Sequence, residues 1–87
     1  MTRKIKQLWI AALRSKRYHQ GQNYLEHNGK YCCLGVLCAV TKRNQSYTTV
    51  HRLIGSELEP CVSILMRMND QDHNSFQQIA NYIQRYM

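Results

Sequence analysis

The stretch Lys30–Val40, KYCCLGVLCAV, decides how the rest of the chain is read. After Tyr31 it is almost wholly apolar, and it holds Cys32, Cys33 and Cys38. Just upstream stands Asn28-Gly29, the strongest two-residue hairpin signal, because both central positions of a type I′ turn need positive φ. That turn sets His27 opposite Lys30, Glu26 opposite Tyr31, Leu25 opposite Cys32 and Tyr24 opposite Cys33, and predicts a hairpin over residues 22–33. A lone hairpin is marginal in water, so helices are expected to cover it. From Leu34 to about Thr41 the pattern predicts a helix that is apolar nearly all round, and therefore central. Gly35 lowers its helix propensity, so close backbone packing is the expected reason for that glycine.

Upstream, residues 3–17 are predicted to be helical. Ile5, Leu8, Trp9 and Ala12 fall on one face with Leu13 at its edge. Arg3, Lys6, Arg14 and Arg17 fall on the other as a cationic stripe, with Ile10 among them. Thr2 is the expected N-cap. Downstream, KRNQS is a polar loop, and Thr49–Ile54 suits a short helix ended by Gly55. Pro60 suits the first position of another helix, running to about Met68. NDQDHN reads as a loop, and Ser75 with Gln78 as a capping box for a C-terminal amphipathic helix bearing Phe76, Ile79, Ala80 and Ile83. The expected fold is α+β: a small single domain, residues 1–87, with about four helices packed around one β-hairpin.

The cysteines admit four readings: a metal site, a redox site, a disulfide staple or buried core. Cys32 and Cys33 are sequence neighbours, expected on opposite faces of a strand, and Cys38 lies in an apolar helix, which is poor spacing for a zinc site with Cys61. There is no C-x-x-C redox pair. A basic then apolar N-terminus looks like a signal peptide, but Leu8–Leu13 is too short for one, so a cytoplasmic chain with reduced thiols is expected. Buried cysteine acting as a small hydrophobe is the leading reading. No metal and no cofactor are expected. His19, His27, His51 and His73 show no local pattern tying them to a cysteine, and NDQDHN lacks the ligand spacing of a calcium loop. With no glycine-rich phosphate loop either, a non-enzymatic role is expected.

Charge is the strongest compositional fact. Twelve Lys and Arg against five Asp and Glu give a formal charge of +7. Residues 1–56 hold ten of the basic residues and one acid, Glu26, while residues 57–87 hold two basic and four acidic ones. So lopsided a surface favours anionic partners. No apolar run approaches the roughly 20 residues of a membrane span.

The strings LWIAALRSKRYHQGQNYL, YCCLGVLCAV, MND and SFQQIANYI occur in that order. They resemble a family of small proteins of tailed phages and some bacterial genomes. Its pattern is W-x-x-A-L-R-S-x-x-Y-x-Q-G, then Y-C-C-L-G-V-L-C, then N-D, then S-F-x-x-I-A. Ala39 stands where the family often has an acid, and segment 42–60 is shorter than the tryptophan-containing insert of many relatives. The resemblance implies a phage accessory protein acting in the host cytoplasm, with interference with host defence or host machinery as its class.

Under that reading RSKRYHQGQNY matters most. Arg14, Arg17, Tyr18 and Gln20, with Lys30 and Tyr31 returning on the hairpin, are expected to line one anionic site: guanidinium to phosphate, ring to base. The sharpest version is sequestration of a nucleotide immune signal. The alternatives are a nucleic-acid binder using the basic face of the first helix, or an inhibitor docking on an acidic face of a host protein. MNDQDHNSFQQIANYI is similar to the first part of a helix-turn-helix, but it is not basic and no second helix follows, so that reading is set aside. Six tyrosines on so small a chain lead to the expectation of a homo-oligomer.

Overall fold

The computed structural model describes all of residues 1–87. Its first helix, α1, spans Arg3–Arg14. Thr2 caps it, its hydroxyl oxygen accepting the Ile5 N–H at 3.2 Å. The helix stops three residues short of the expected end at Arg17. Ser15 folds back, its N–H and hydroxyl both donating to the Ala12 carbonyl at 3.2 and 2.7 Å. Lys16 then takes a left-handed conformation, with φ 64°. Arg14 and Arg17 therefore do not share a helix face.

A three-stranded mixed sheet follows, in the order β1-β3-β2. It is built from β1 (His19–Gln20), β2 (Glu26–His27) and β3 (Lys30–Tyr31). The predicted hairpin register is present: Glu26 pairs with Tyr31 and His27 with Lys30, around Asn28 and Gly29 at φ 53° and 80°. Leu25 accepts the Cys32 N–H at 3.1 Å. The Tyr24–Cys33 pair does not form, because Cys33 already begins a helix. The single hairpin expected from the sequence is corrected to a sheet. Strand β1 adds in parallel, His19 beside Lys30 and Gln20 beside Tyr31. Two residues carry no alternation for a sequence reading to detect.

Helix α2 (Cys33–Val40) is the centre of the molecule, with Cys33 through Cys38 all buried. Gly35 is explained by contact: a Cβ there would sit 1.8 Å from the Leu25 carbonyl oxygen. The hairpin backbone thus lies directly on α2, an approach that only glycine permits. Trp9 is fully buried and its indole N–H donates to the Cys33 carbonyl at 2.9 Å, fixing α1 to the start of α2. Buried cysteine is what the structure shows at Cys32, Cys33 and Cys38, all free thiols. Burial pushes the thiols of Cys32 and Cys38 above their ordinary value of 9.0, and that of Cys33 well above it.

The remaining helices are α3 (Tyr47–Ile54), α4 (Glu59–Asp70) and α5 (Phe76–Tyr86), with one 3₁₀ turn at Ser56–Leu58. The five helices fall at the five segments marked in the sequence, one more than the round total of about four. Helix α3 starts two residues early because Ser46 caps it, accepting the Thr49 N–H at 3.2 Å. Gly55, at φ 90°, ends it as predicted. Pro60 lies in the first turn of α4, which runs on through Asn69 and Asp70 instead of yielding to a loop there. The Ser75–Gln78 capping box of α5 is complete in both directions.

Helix α1 packs chiefly on α5, and this rotates its faces from the expected ones. Leu8 is 43% exposed, while Ile10 packs against the core. Lys6 Nζ donates to the Gln84 carbonyl at 3.5 Å, and Arg14 Nη2 donates to Asn81 Oδ1 at 2.7 Å and Gln84 Oε1 at 2.8 Å. The row Lys6-Ile10-Arg14, which charge alone presents as a solvated stripe, is a polar seam against α5. No helix is long and apolar enough to cross a membrane.

Candidate functional site

One polar residue is fully buried, Asn69 near the end of α4. Its Oδ1 accepts the Gln20 side-chain N–H at 2.9 Å and the Cys33 backbone N–H at 3.2 Å. Its Nδ2 donates to the Gly21 carbonyl and to Asp70 Oδ1, both at 2.8 Å. Asp70 Oδ1 in turn accepts the Asn23 N–H at 3.0 Å. Cys32, the N-cap of α2, makes no side-chain cap bond, so Asn69 supplies from a distance the acceptor that the first amide of α2 lacks. Gln20 Nε2 also donates to the Asn74 carbonyl at 2.8 Å. This network holds β1 in place and thereby shapes the surface on both sides of it.

Two hollows flank β1. The larger, about 360 Å³, lies between the end of α1, β1 and the start of α5, and its walls include Arg14, Lys16, Tyr18, His19, Gln20 and Phe76. None of its lining residues is a carboxylate. Its size is within the range of small-molecule sites, about 300–1,000 Å³. The smaller, about 180 Å³, is bordered by Gln20, Gly21, Tyr24, His27 and Lys30. There the Tyr24 and His27 rings stack with centroids 4.8 Å apart. Gly21 matters to this edge, since a Cβ on it would meet Lys30 Cβ at 2.8 Å.

The six residues expected to form one site are distributed as follows. Arg14, Tyr18 and Gln20 line the larger hollow, and Gln20 and Lys30 the smaller. Tyr31 stands behind Tyr18, the two rings meeting edge to face at 5.3 Å. Arg17 is exposed and lines neither. Arg14 is tied to α5 through Nη2, but its Nε is shut off from solvent with no acceptor in the protein. Gln20 has its amide N–H groups engaged with Asn69 and Asn74, so it positions the strand.

Sequence reasoning passed over Lys16, His19 and Phe76. Lys16 faces the hollow only because α1 ends at Arg14, and Phe76 reaches it only because α5 packs beside α1. The one available signal was Ile10, an apolar residue inside a supposedly solvated stripe, which marks that side of α1 as covered.

Comparison with curated proteins and with solved structures gave no match at the level required. A family model does match residues 1–63, a span that contains α1, the sheet, α2, α3 and the start of α4. The chain therefore belongs to the family described as a domain of unknown function, DUF8296.

Proposed function

We propose that the protein is a non-enzymatic binder of a small anionic ligand with an aromatic part, the nucleotide class, held in the hollow between α1, β1 and α5. The observation that carries this reading is the lining itself: Arg14, Lys16 and His19 meet Tyr18 and Phe76 with no carboxylate among them. Cations and imidazole suit phosphate, and the rings suit a base. Arg14 is held at the wall of the hollow by its two Nη2 hydrogen bonds to Asn81 and Gln84 of α5, so its charge is fixed in place there. The resemblance to tailed-phage proteins gives the proposal its biological form, an accessory protein that sequesters a nucleotide signal of host defence. Native mass spectrometry of protein purified from defence-active cells tests it. A retained mass of nucleotide size supports it, and a retained host protein contradicts it.

A second reading, a nucleic-acid binder, is favoured by the Tyr24–His27 stack beside Lys30. Stacked exposed rings next to a cation suit a single strand. The two readings separate by salt. A strand contacting several phosphates loses affinity steeply, with a log–log slope of about −0.7 per contact, whereas a mononucleotide responds weakly. A homo-oligomer belongs to the proposal as well, with exposed Tyr24, Tyr47 and Tyr86 available to an interface. Light scattering at tens of micromolar tests it, and a monomeric mass removes it.

A further inference from the structure

The chain's five carboxylates are all occupied or placed away from the connection between α2 and α3. Glu26 accepts the Gly29 N–H inside the hairpin turn, and Glu59 meets His51. Asp70 belongs to the Asn69 network, and Asp72 faces Arg67. Glu57 sits on the 3₁₀ turn. Arg43 and Arg52 have no carboxylate at ion-pair distance. Yet they converge, lining with Asn44 and Thr49 a hollow of about 230 Å³ that has no apolar wall.

Local structure puts them there. Helix α2 ends in a Schellman motif, with the Arg43 N–H donating to the Cys38 carbonyl at 2.9 Å and the Lys42 N–H to Ala39 at 3.0 Å. Lys42 takes the left-handed position, φ 58°, where glycine is usual. Arg43 follows that reversal directly. Arg52 stands three residues after Thr49 on α3 and so shares its face. Ser46 locks the start of α3, its hydroxyl 3.1 Å from that of Thr49. The first turn of α3 carries no acid, so the partial positive charge of its N-terminus adds to the two guanidiniums.

We propose that this hollow is a second anion site that takes a phosphoryl group, with Arg43 and Arg52 as its charged donors and Asn44 and Thr49 as neutral ones. Guanidinium forks match phosphoryl oxygens in geometry, and two of them side by side repel until an anion lies between. The volume is too small for a whole nucleotide, so the rest of the ligand lies outside. This site is independent of the hollow beside β1.

The test is a titration of isotope-labelled full-length protein, at constant ionic strength, with inorganic phosphate and separately with a 5′-hydroxyl trinucleotide. The readout is the amide signals of Arg43, Tyr47, Thr48 and Thr49. A saturable response to inorganic phosphate assigns the site to a free or terminal phosphate. A saturable response to the trinucleotide alone assigns it to a phosphodiester. In either case Arg43→Gln and Arg52→Gln each weaken it about tenfold or more, while Arg3→Gln, on α1, leaves it unchanged. Lys42→Gly keeps the fold and the saturable response, because glycine suits that backbone. No saturable response to either probe, or a response unchanged in both variants, overturns the proposal.

Discussion

The side-chain oxygen of Asn69 accepts the backbone N–H of Cys33, 36 residues earlier, and so caps the central helix from the far end of α4. The same side chain holds the strand that borders both hollows flanking β1. Stability and site geometry therefore pass through one buried amide.

Asn69→Ala should be among the most damaging single substitutions. It leaves the Cys33 N–H buried without this partner, at about 1–3 kcal/mol, and frees the half-buried Gly21 carbonyl. Total stability for a chain of this length is about 4–13 kcal/mol. Asn69→Asp gives a more specific test. A carboxylate there keeps its acceptor role but faces Asp70, so the variant should gain stability relative to the parent on acidification from neutral pH. Thermal melts across pH measure this, and a loss that does not depend on pH would count against the network.

Two glycines should respond very differently to alanine. At Gly35 the new Cβ meets the Leu25 carbonyl oxygen at 1.8 Å, and this obstacle is backbone that cannot swing aside as a side chain would, so Gly35→Ala should abolish cooperative folding. At Gly29 nothing lies within 4 Å and the penalty is the positive φ alone, about 1 kcal/mol. Urea midpoints of the two variants check the contrast.

The thiols predict a response to alkali. Their pKa values are raised by burial in the folded state, so between 9.0 and the folded values the native protein holds protons that the unfolded chain has lost. Stability is thus full below about pH 9 and falls as pH rises beyond it. Cys33→Ala should flatten that fall most, because Cys33 has the largest shift. At neutral pH only the half-buried Cys61 should react readily with an alkylating reagent, and Cys33 and Cys38 only once the fold opens.

The local signals in the sequence were read well where they are short-range. The Asn28-Gly29 turn and its register, the Ser75–Gln78 box, the Gly55 stop and the apolar run over Cys33–Cys38 all follow from neighbours in the chain, and Gly35 stands out as a poor helix former whose partner, Leu25, only the fold shows. What could not be read depends on distant partners. Strand β1 exists because β3 offers it an edge, and Gln20 looks like a ligand residue until Asn69 and Asn74 take its amide. Arg14 looks solvated until α5 supplies Asn81 and Gln84. For the same reason the expected residues are brought together only in part: Arg14, Tyr18 and Gln20 line one hollow, while Arg17 lies outside it because α1 ends at Arg14.

The most direct test of the proposed binding site uses Lys16. Its left-handed backbone, φ 64°, is strained for a side chain with a Cβ, so Lys16→Gly should raise stability by about 1 kcal/mol. The same change removes a cation from the hollow, so titration with a nucleoside monophosphate should show binding weakened about tenfold or more in a variant more stable than the parent. Folding damage cannot mimic that combination. Saturable binding that is equally tight in parent and Lys16→Gly, or no saturable binding by the parent, would contradict the account.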